Sequence, residues 1–341
     1  MKYAPVMIPT LCRFDKFVRC VESLKRNSWA KYTELYIAVD YPIKAEQWDG
    51  YNKICDYLEQ EFVEFLSVHI YKRKYNYGPG KNSLELRNKV FEKYDRFIYT
   101  DDDIEFSPNF LEYIDKTMEI YEDNPNVIAV CGYSYPIQWS VSNRSNCFIT
   151  TAGCFMWGTA FWKDKYLKIA KELENGILRV ENVADKKKLR NKLIDARYID
   201  MLELGVSVEK TLLDCATDVG ISTYMELYDK YAVIPTLSKA RNYGFDGTGV
   251  YCQNINKYAY NSREYDYTSQ RIDENKHFEP FVDCDNEDIN MSKWSEFDCR
   301  DDVKKRIFKI KLKSLLVKCI GKNGYKTFKK IIHGILDCRD K

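Results

Sequence analysis

Four short apolar runs, each followed by a stretch of helical character or a turn, fill the first hundred residues. Val6-Met7-Ile8, Leu35-Tyr36-Ile37-Ala38-Val39, Leu66-Ser67-Val68-His69-Ile70-Tyr71 and Arg96-Phe97-Ile98-Tyr99 predict strands. Between them, Phe17, Val18, Val21 and Leu24 recur at helical spacing over 14–24. Tyr51, Ile54, Leu58 and Phe62 do the same over 45–65, and Gly78-Pro79-Gly80 opens a helix running through Leu84 and Val90. Strand and helix in strict alternation predict an α/β fold, with a mainly parallel sheet and right-handed crossovers.

The later chain is less regular. Val127–Cys131 and Tyr231–Pro235 predict two further strands, and Val219–Tyr228 predicts a helix with Asp218 as its N-cap. Residues 148–162 are rich in glycine and aromatics, 180–208 are charged and helical in pattern, and 256–300 are polar and rich in tyrosine. Residues 303–336 hold eleven Lys or Arg and no Asp or Glu. Ile307, Phe308, Leu312, Leu315, Leu316 and Ile320 interleave with them. A basic amphipathic segment of this kind suits an anionic membrane surface, although a helix packed on the rest of the protein has the same pattern.

Composition narrows the classes. A net charge of +2 over 341 residues gives no reason to expect nucleic-acid binding. The twelve cysteines form no CxxC pair, which argues against a zinc cluster and for free thiols in a reducing cytosol. The N-terminus leads directly into a strand without a signal peptide, and no apolar run reaches the roughly 18 residues of a spanning helix.

The chemistry centres on Tyr99-Thr100-Asp101-Asp102-Asp103-Ile104-Glu105. Three adjacent carboxylates at the end of a buried strand repel one another until a divalent cation or several donors neutralise them. The mouth of an α/β sheet beyond the strand carboxyl ends is where such folds bind ligands. The run therefore reads as a cation–diphosphate site, with Ser107-Pro108 starting the next helix.

The order of motifs resembles that of GT-A fold, family 2-like glycosyltransferases of bacterial surface-polysaccharide type. The matching segments are Val6 to Arg13, the strand ending in Asp40, Asn76-Tyr77-Gly78 with Arg87-Asn88, the acidic triplet, and Arg241-Asn242-Tyr243-Gly244-Phe245-Asp246-Gly247-Thr248-Gly249. The segment Asp101 to Tyr113 is also similar to the metal-site segment of N-acetylglucosaminyltransferase I. The similarity covers about residues 4–252. It implies a GT-A, Rossmann-like mixed, mainly parallel sheet flanked by helices, to which the charge pattern of the late chain adds basic amphipathic helices at the C-terminus. It implies a catalytic domain over 1–255, with a nucleotide-sugar half at 1–135 and an acceptor half at 136–255. A polar extension over 256–302 and a basic tail over 303–341 would follow.

By the same resemblance, Pro9, Thr10 and Arg13 line the nucleotide pocket, and Arg13 pairs with phosphate. Asp40 accepts hydrogen bonds from the base or ribose, and Gly78 lets the backbone approach the donor. Arg87 is favoured over Lys81 as a further nucleotide contact. Asp103 holds Mn2+ or Mg2+, and Asp101 meets the ribose or a metal-bound water, while Asp102 serves either role. Asp218 is the base that deprotonates the acceptor hydroxyl, with Asp214 as its rival. Gly153 and Trp157 border the donor sugar and acceptor. Asn242, Asp246 and Gly247 contact donor or acceptor. Tyr251 stands where bacterial relatives carry a histidine. Each residue also has a plain structural reading: a helix start for Arg13, a turn for Asp40 and Gly78, core packing for Trp157, and an N-cap for Asp218.

The resulting expectation is an inverting glycosyltransferase. It would use a nucleotide-sugar donor, UDP-linked by preference, and a glycan or lipid-linked acceptor. It would work from the cytoplasmic face of the membrane as a peripheral protein, held by residues 303–341. A nucleotidyltransferase is the enzymatic alternative, weakened by the lack of glycine in Pro9-Thr10-Leu11-Cys12-Arg13. A non-catalytic membrane-associated sugar-binding scaffold is the other.

Overall fold

The predicted strands pair because they bury both faces. In the computed structural model, which describes residues 1–134, 145–150, 154–175, 217–246, 248, 271–281 and isolated positions between 312 and 328, β1 (Val6–Thr10) lies parallel to β2 (Glu34–Val39). All six β2 residues are buried. β3 (Ser67–Lys72) adds to β2 in parallel as an edge strand and is only half-buried. β4 (Arg96–Tyr99) adds to the other side of β1, also in parallel.

The rest of the sheet is mixed. β6 (Val127–Cys131), β7 (Cys147–Thr150), β8 (Thr159–Trp162) and β9 (Tyr231–Pro235) complete an eight-stranded sheet of order β3-β2-β1-β4-β8-β6-β9-β7. β8 runs antiparallel to both β4 and β6. β9 is parallel to β6 and antiparallel to β7. A separate two-stranded ribbon pairs β5 (Ile104–Phe106) with β10 (Ala240–Asn242). This is the α/β architecture that the strand–helix alternation predicts, with the mixed, Rossmann-like sheet that the resemblance implies.

Helices cover the sheet through their apolar stripes. α1 (Phe14–Lys25) buries Phe17, Cys20, Val21 and Leu24, and α3 (Gly78–Phe91) buries Leu86 and Val90. α4 (Phe110–Tyr121) buries Phe110, Leu111, Tyr113, Ile114 and Met118, each worth about 1.5–3 kcal/mol of transfer free energy. α2 (Trp48–Tyr57) is shorter than its sequence pattern predicts. The pattern continues because Leu58 is buried and Phe62 packs against the core after the helix has ended. The start of α4 also departs from expectation: β5 precedes it and Asn109 is its N-cap, in place of Ser107 with Pro108.

The chain forms two compact units, Met1–Leu167 with Lys230–Cys299, and Lys168–Asp229 with Arg300–Lys341. The first contains the whole sheet. A strap at 271–281 is pinned there, where Lys239 and Asn109 both donate to the Asp273 carboxylate. In the second unit, α5 (Lys163–Glu174, entering from the first unit) and α6 (Thr217–Tyr228) contribute Glu172 and Tyr228, whose hydroxyl donates to the Glu172 carboxylate at 2.9 Å. Asp218 lies inside α6 rather than ahead of it as a cap. The charged stretch 180–208 lies outside the described residues. Among the described residues no helix is long and apolar enough to cross a membrane.

Candidate active site

Strand order reverses beside β1: β2 and β3 lie on one side and β4 on the other. The carboxyl ends of β1 and β4 therefore lie at a switch point of the strand order, the position where open α/β sheets take ligands. Thr10 ends β1 and Asp101 follows β4 by two residues. Thr100 extends the pairing, its N–H donating to the Met7 carbonyl at 3.2 Å.

The three acids are held in three ways. Asp101 accepts the Tyr99 hydroxyl at 2.9 Å. Burial, reinforced by the Asp103 charge, pushes its carboxyl up to about 7. Asp102 is buried and accepts the Thr10 hydroxyl at 2.6 Å and, on its other oxygen, an Arg13 Nη. Asp103 Oδ2 accepts the second Arg13 Nη at 2.6 Å. Asp103 Oδ1 is buried with no hydrogen-bond partner. Burial and the neighbouring Asp102 raise the Asp103 carboxyl despite Arg13. The three carboxylates in turn raise the Arg13 guanidinium against its own desolvation, so it stays charged.

The β5–β10 ribbon brings a distant loop onto this turn. Asn242 pairs with Ile104, and the Tyr243 N–H donates to the Asp103 carbonyl at 2.9 Å. Gly244 donates its N–H to Asn242 Oδ1 at 2.6 Å and packs on the Asp103 carboxylate. Lys16, one turn along α1 from Arg13, reaches Asp246 Oδ2 and Thr248 Oγ1, each at 2.7 Å. These contacts, with the Lys16 charge, hold Asp246 at about 2 against its partial burial. Arg19, the next residue of that α1 face, stacks on Tyr243 at 4.1 Å, and the Tyr243 hydroxyl donates to Glu105 at 2.9 Å.

The expected residues divide accordingly. Thr10, Arg13, Asp102, Asp103 and Asn242 are joined through direct contacts or through Tyr243 and Gly244, and Asp246 is tied to the same α1 face. Pro9 is the preceding residue of β1. Asp40 caps the next loop: its oxygens accept the N–H groups of Tyr41 at 2.9 Å, Tyr77 at 2.8 Å and Gly78 at 2.9 Å. Gly78 takes φ +74, which explains glycine at the start of α3. Arg87 is engaged elsewhere, donating to the Tyr166 hydroxyl at 2.6 Å and stacking on that ring. Trp157 packs edge-on against Tyr133 and against Phe245 of the distant loop. The Asp218 side chain, Asp214, Gly153, Gly247 and Tyr251 lie outside the described residues.

Sequence reading missed Lys16, Arg19, Tyr243 and Gly244 as parts of the site. The three-residue spacing of Arg13, Lys16 and Arg19 places them along one helix face and is the signal that could have found the cations. Among the described residues no three His, Cys, Asp or Glu side chains form a preformed cation cage. A Mn2+ or Mg2+ site built with a diphosphate needs only one or two protein carboxylates. The donor set here fits that kind, since Asp103 offers a buried carboxylate oxygen that nothing else satisfies.

No protein-family model and no curated protein matches the chain. Solved structures do. Similarity extends to TarS of S. aureus, at 12% identity and a TM-score of 0.34, over 50% of this chain and 30% of that one. A shorter TarS chain, 1-349, gives 12% and 0.33 over 51% of this chain and 49% of that one. The mannosyltransferase PcManGT from Pyrobaculum calidifontis, in complex with GDP-Man and Mn2+, gives 12% and 0.34 over 50% of this chain and 47% of that one. The chain thus spans less than half the length of each of these three structures.

Proposed function

We propose that this protein is a glycosyltransferase that moves a sugar from a nucleotide donor to a glycan or lipid-linked acceptor. The observation that carries the reading is the buried, unpartnered Asp103 Oδ1 at the reversal of strand order. An oxygen of this kind stabilises a protein only when a cation or donor arrives.

Asp103 would hold Mn2+ or Mg2+, which would supply positive charge to the leaving nucleoside diphosphate. Asp101 would meet the ribose or a metal-bound water. Thr10, Arg13 and the backbone from Pro9 would face the nucleotide, and Gly78 and Asp40 would shape the loop beside it. Arg87 would contribute a further contact only by leaving Tyr166. Trp157, Asn242, Asp246 and Gly247 would border the sugar and acceptor. Asp218, in α6, is proposed as the base of an inverting transfer, with Asp214 as its rival. UDP is the preferred nucleotide by resemblance. Residues 303–341, with eleven cationic side chains before 337, would hold the protein on an anionic membrane at its cytoplasmic face.

A calorimetric screen of nucleotide sugars, with and without Mn2+, tests the reading. At least one donor should bind in a Mn2+-dependent way, and Asp103→Asn should lose that dependence. A panel in which no nucleotide sugar binds removes the proposal.

A further inference from the structure

Arg13 occupies an unusual place. A guanidinium commonly grips one carboxylate with two parallel hydrogen bonds. Here its two Nη atoms go to different residues, one to Asp102 Oδ1 and the other to Asp103 Oδ2. Each carboxylate is also fixed from another side. Thr10 holds the second oxygen of Asp102, and Gly244 packs against Asp103. One guanidinium therefore spans two immobilised acids, with Asp101 adjacent and Asp103 Oδ1 still without a partner. The Arg13 side chain is itself mostly buried. The electrostatics of the turn are incompletely settled: Arg13 in direct contact, with Lys16 acting from farther off, faces a run of three carboxyl groups.

We infer that Arg13 is a parked counter-ion. It supplies the positive charge that Asp102 and Asp103 need where no cation is bound, and it leaves those oxygens when cation and diphosphate enter. The inference rests on reading the turn as a cation–diphosphate site. A dication brings more charge to the acids than Arg13 does and repels the guanidinium. A diphosphate brings new acceptor oxygens beside the start of α1, where Arg13 is rooted. Cation alone must displace Arg13 without giving it a new partner, so it binds weakly. Cation with diphosphate relocates Arg13 onto phosphate, so each ligand strengthens the other, and the coupling is reciprocal. Arg13 is thus a positioning residue that makes occupation of the site all-or-none.

The test is Mn2+ binding to the full-length protein without nucleotide, read from the spin-resonance signal of free Mn2+. Arg13→Gln should bind Mn2+ about tenfold or more tightly than wild type, because the competing cation is gone. Arg13→Lys should fall between, since an ammonium keeps the charge but cannot span both acids in the same fork. Adding UDP should tighten Mn2+ binding strongly in wild type and much less in Arg13→Gln. If Arg13→Gln does not fold, Arg13→Lys decides by the same sign. Mn2+ affinity in the variants equal to or below that of wild type overturns the inference. The two readings separate cleanly. Gain of Mn2+ affinity in Arg13→Gln with no nucleotide sugar bound keeps the parked counter-ion and rejects the transferase. A Mn2+-dependent donor with no such gain does the reverse.

Discussion

A β-carbon on Gly244 would stand 2.2 Å from Asp103 Oδ2, far inside the distance that β-carbons keep from other atoms. The backbone from β10 thus forms one wall of the acidic turn, and the wall is in place only because this residue has no side chain. Gly244→Ala forces either the loop or the Asp103 carboxylate aside, an overpacking that costs about 1–3 kcal/mol. The expected outcome is a lowered melting temperature together with loss of Mn2+ binding. A variant with both unchanged would mean that the loop does not wall the site in solution.

Asp103→Asn should separate binding from stability. The wild-type carboxyl is buried, raised by burial, and has one oxygen unpartnered. Removing its charge relieves repulsion with Asp101 and Asp102, so the ligand-free variant should unfold at a urea concentration no lower than wild type. Mn2+-dependent donor binding should nonetheless vanish. A large loss of stability instead would mark Asp103 as a structural partner of Arg13 first and a ligand second.

The fold was legible where burial is two-sided and local. Val127–Cys131 and Tyr231–Pro235 match their strands because continuous apolar runs leave little alternative. β5 and β10, three residues each, carry no such signal, and their pairing joins segments more than a hundred residues apart. The same nonlocality governs the site. Adjacent acids at the end of a strand are visible in sequence, and so is their need for a cation. That Gly244 walls Asp103, or that Lys16 reaches Asp246, follows only from the ribbon that delivers the loop. The pairing of Arg13 with Asp102 and Asp103 is equally nonlocal, joining the turn after β1 to the turn after β4.

Asp115 should tie stability to pH at the opposite end of the sheet. It lies on α4, accepts the Ala4 N–H at 2.9 Å, and leaves its second oxygen buried without a partner. Burial pushes its carboxyl up to about 8, opposed by that hydrogen bond and the Arg96 charge. The folded chain then keeps a proton that the unfolded chain releases near pH 4, so this group's contribution falls as pH rises from about 4 towards 8. Asp115→Asn removes the dependence. By urea unfolding it should exceed wild type by about 2 kcal/mol or more at pH 8, with the difference gone near pH 4. A difference that stays constant with pH would exclude Asp115 as its source.

Membrane attachment should follow charge. Replacing Lys304, Lys305 and Arg306 by Gln should weaken sedimentation with vesicles holding about 30% phosphatidylserine by about tenfold or more, since each cation near such a surface is worth about 1 kcal/mol. Neutral vesicles should bind both proteins equally poorly. If the variant sediments as well as wild type, the basic segment faces something other than lipid.

The base is the part of the chemistry that the acidic turn cannot provide. On the proposed reading its carboxylates serve the cation and lie on the side of the leaving diphosphate. An inverting displacement needs its proton acceptor on the opposite side of the sugar, so that acid comes from another segment. Asp218→Asn should therefore leave Mn2+-dependent donor affinity within about twofold of wild type while transfer falls by about 100-fold or more, the usual scale for removing a general base. Asp214→Asn serves as the paired control and should keep most of the transfer. The opposite pattern would move the role to Asp214, and full transfer in both variants would place the base on a residue outside 214–218.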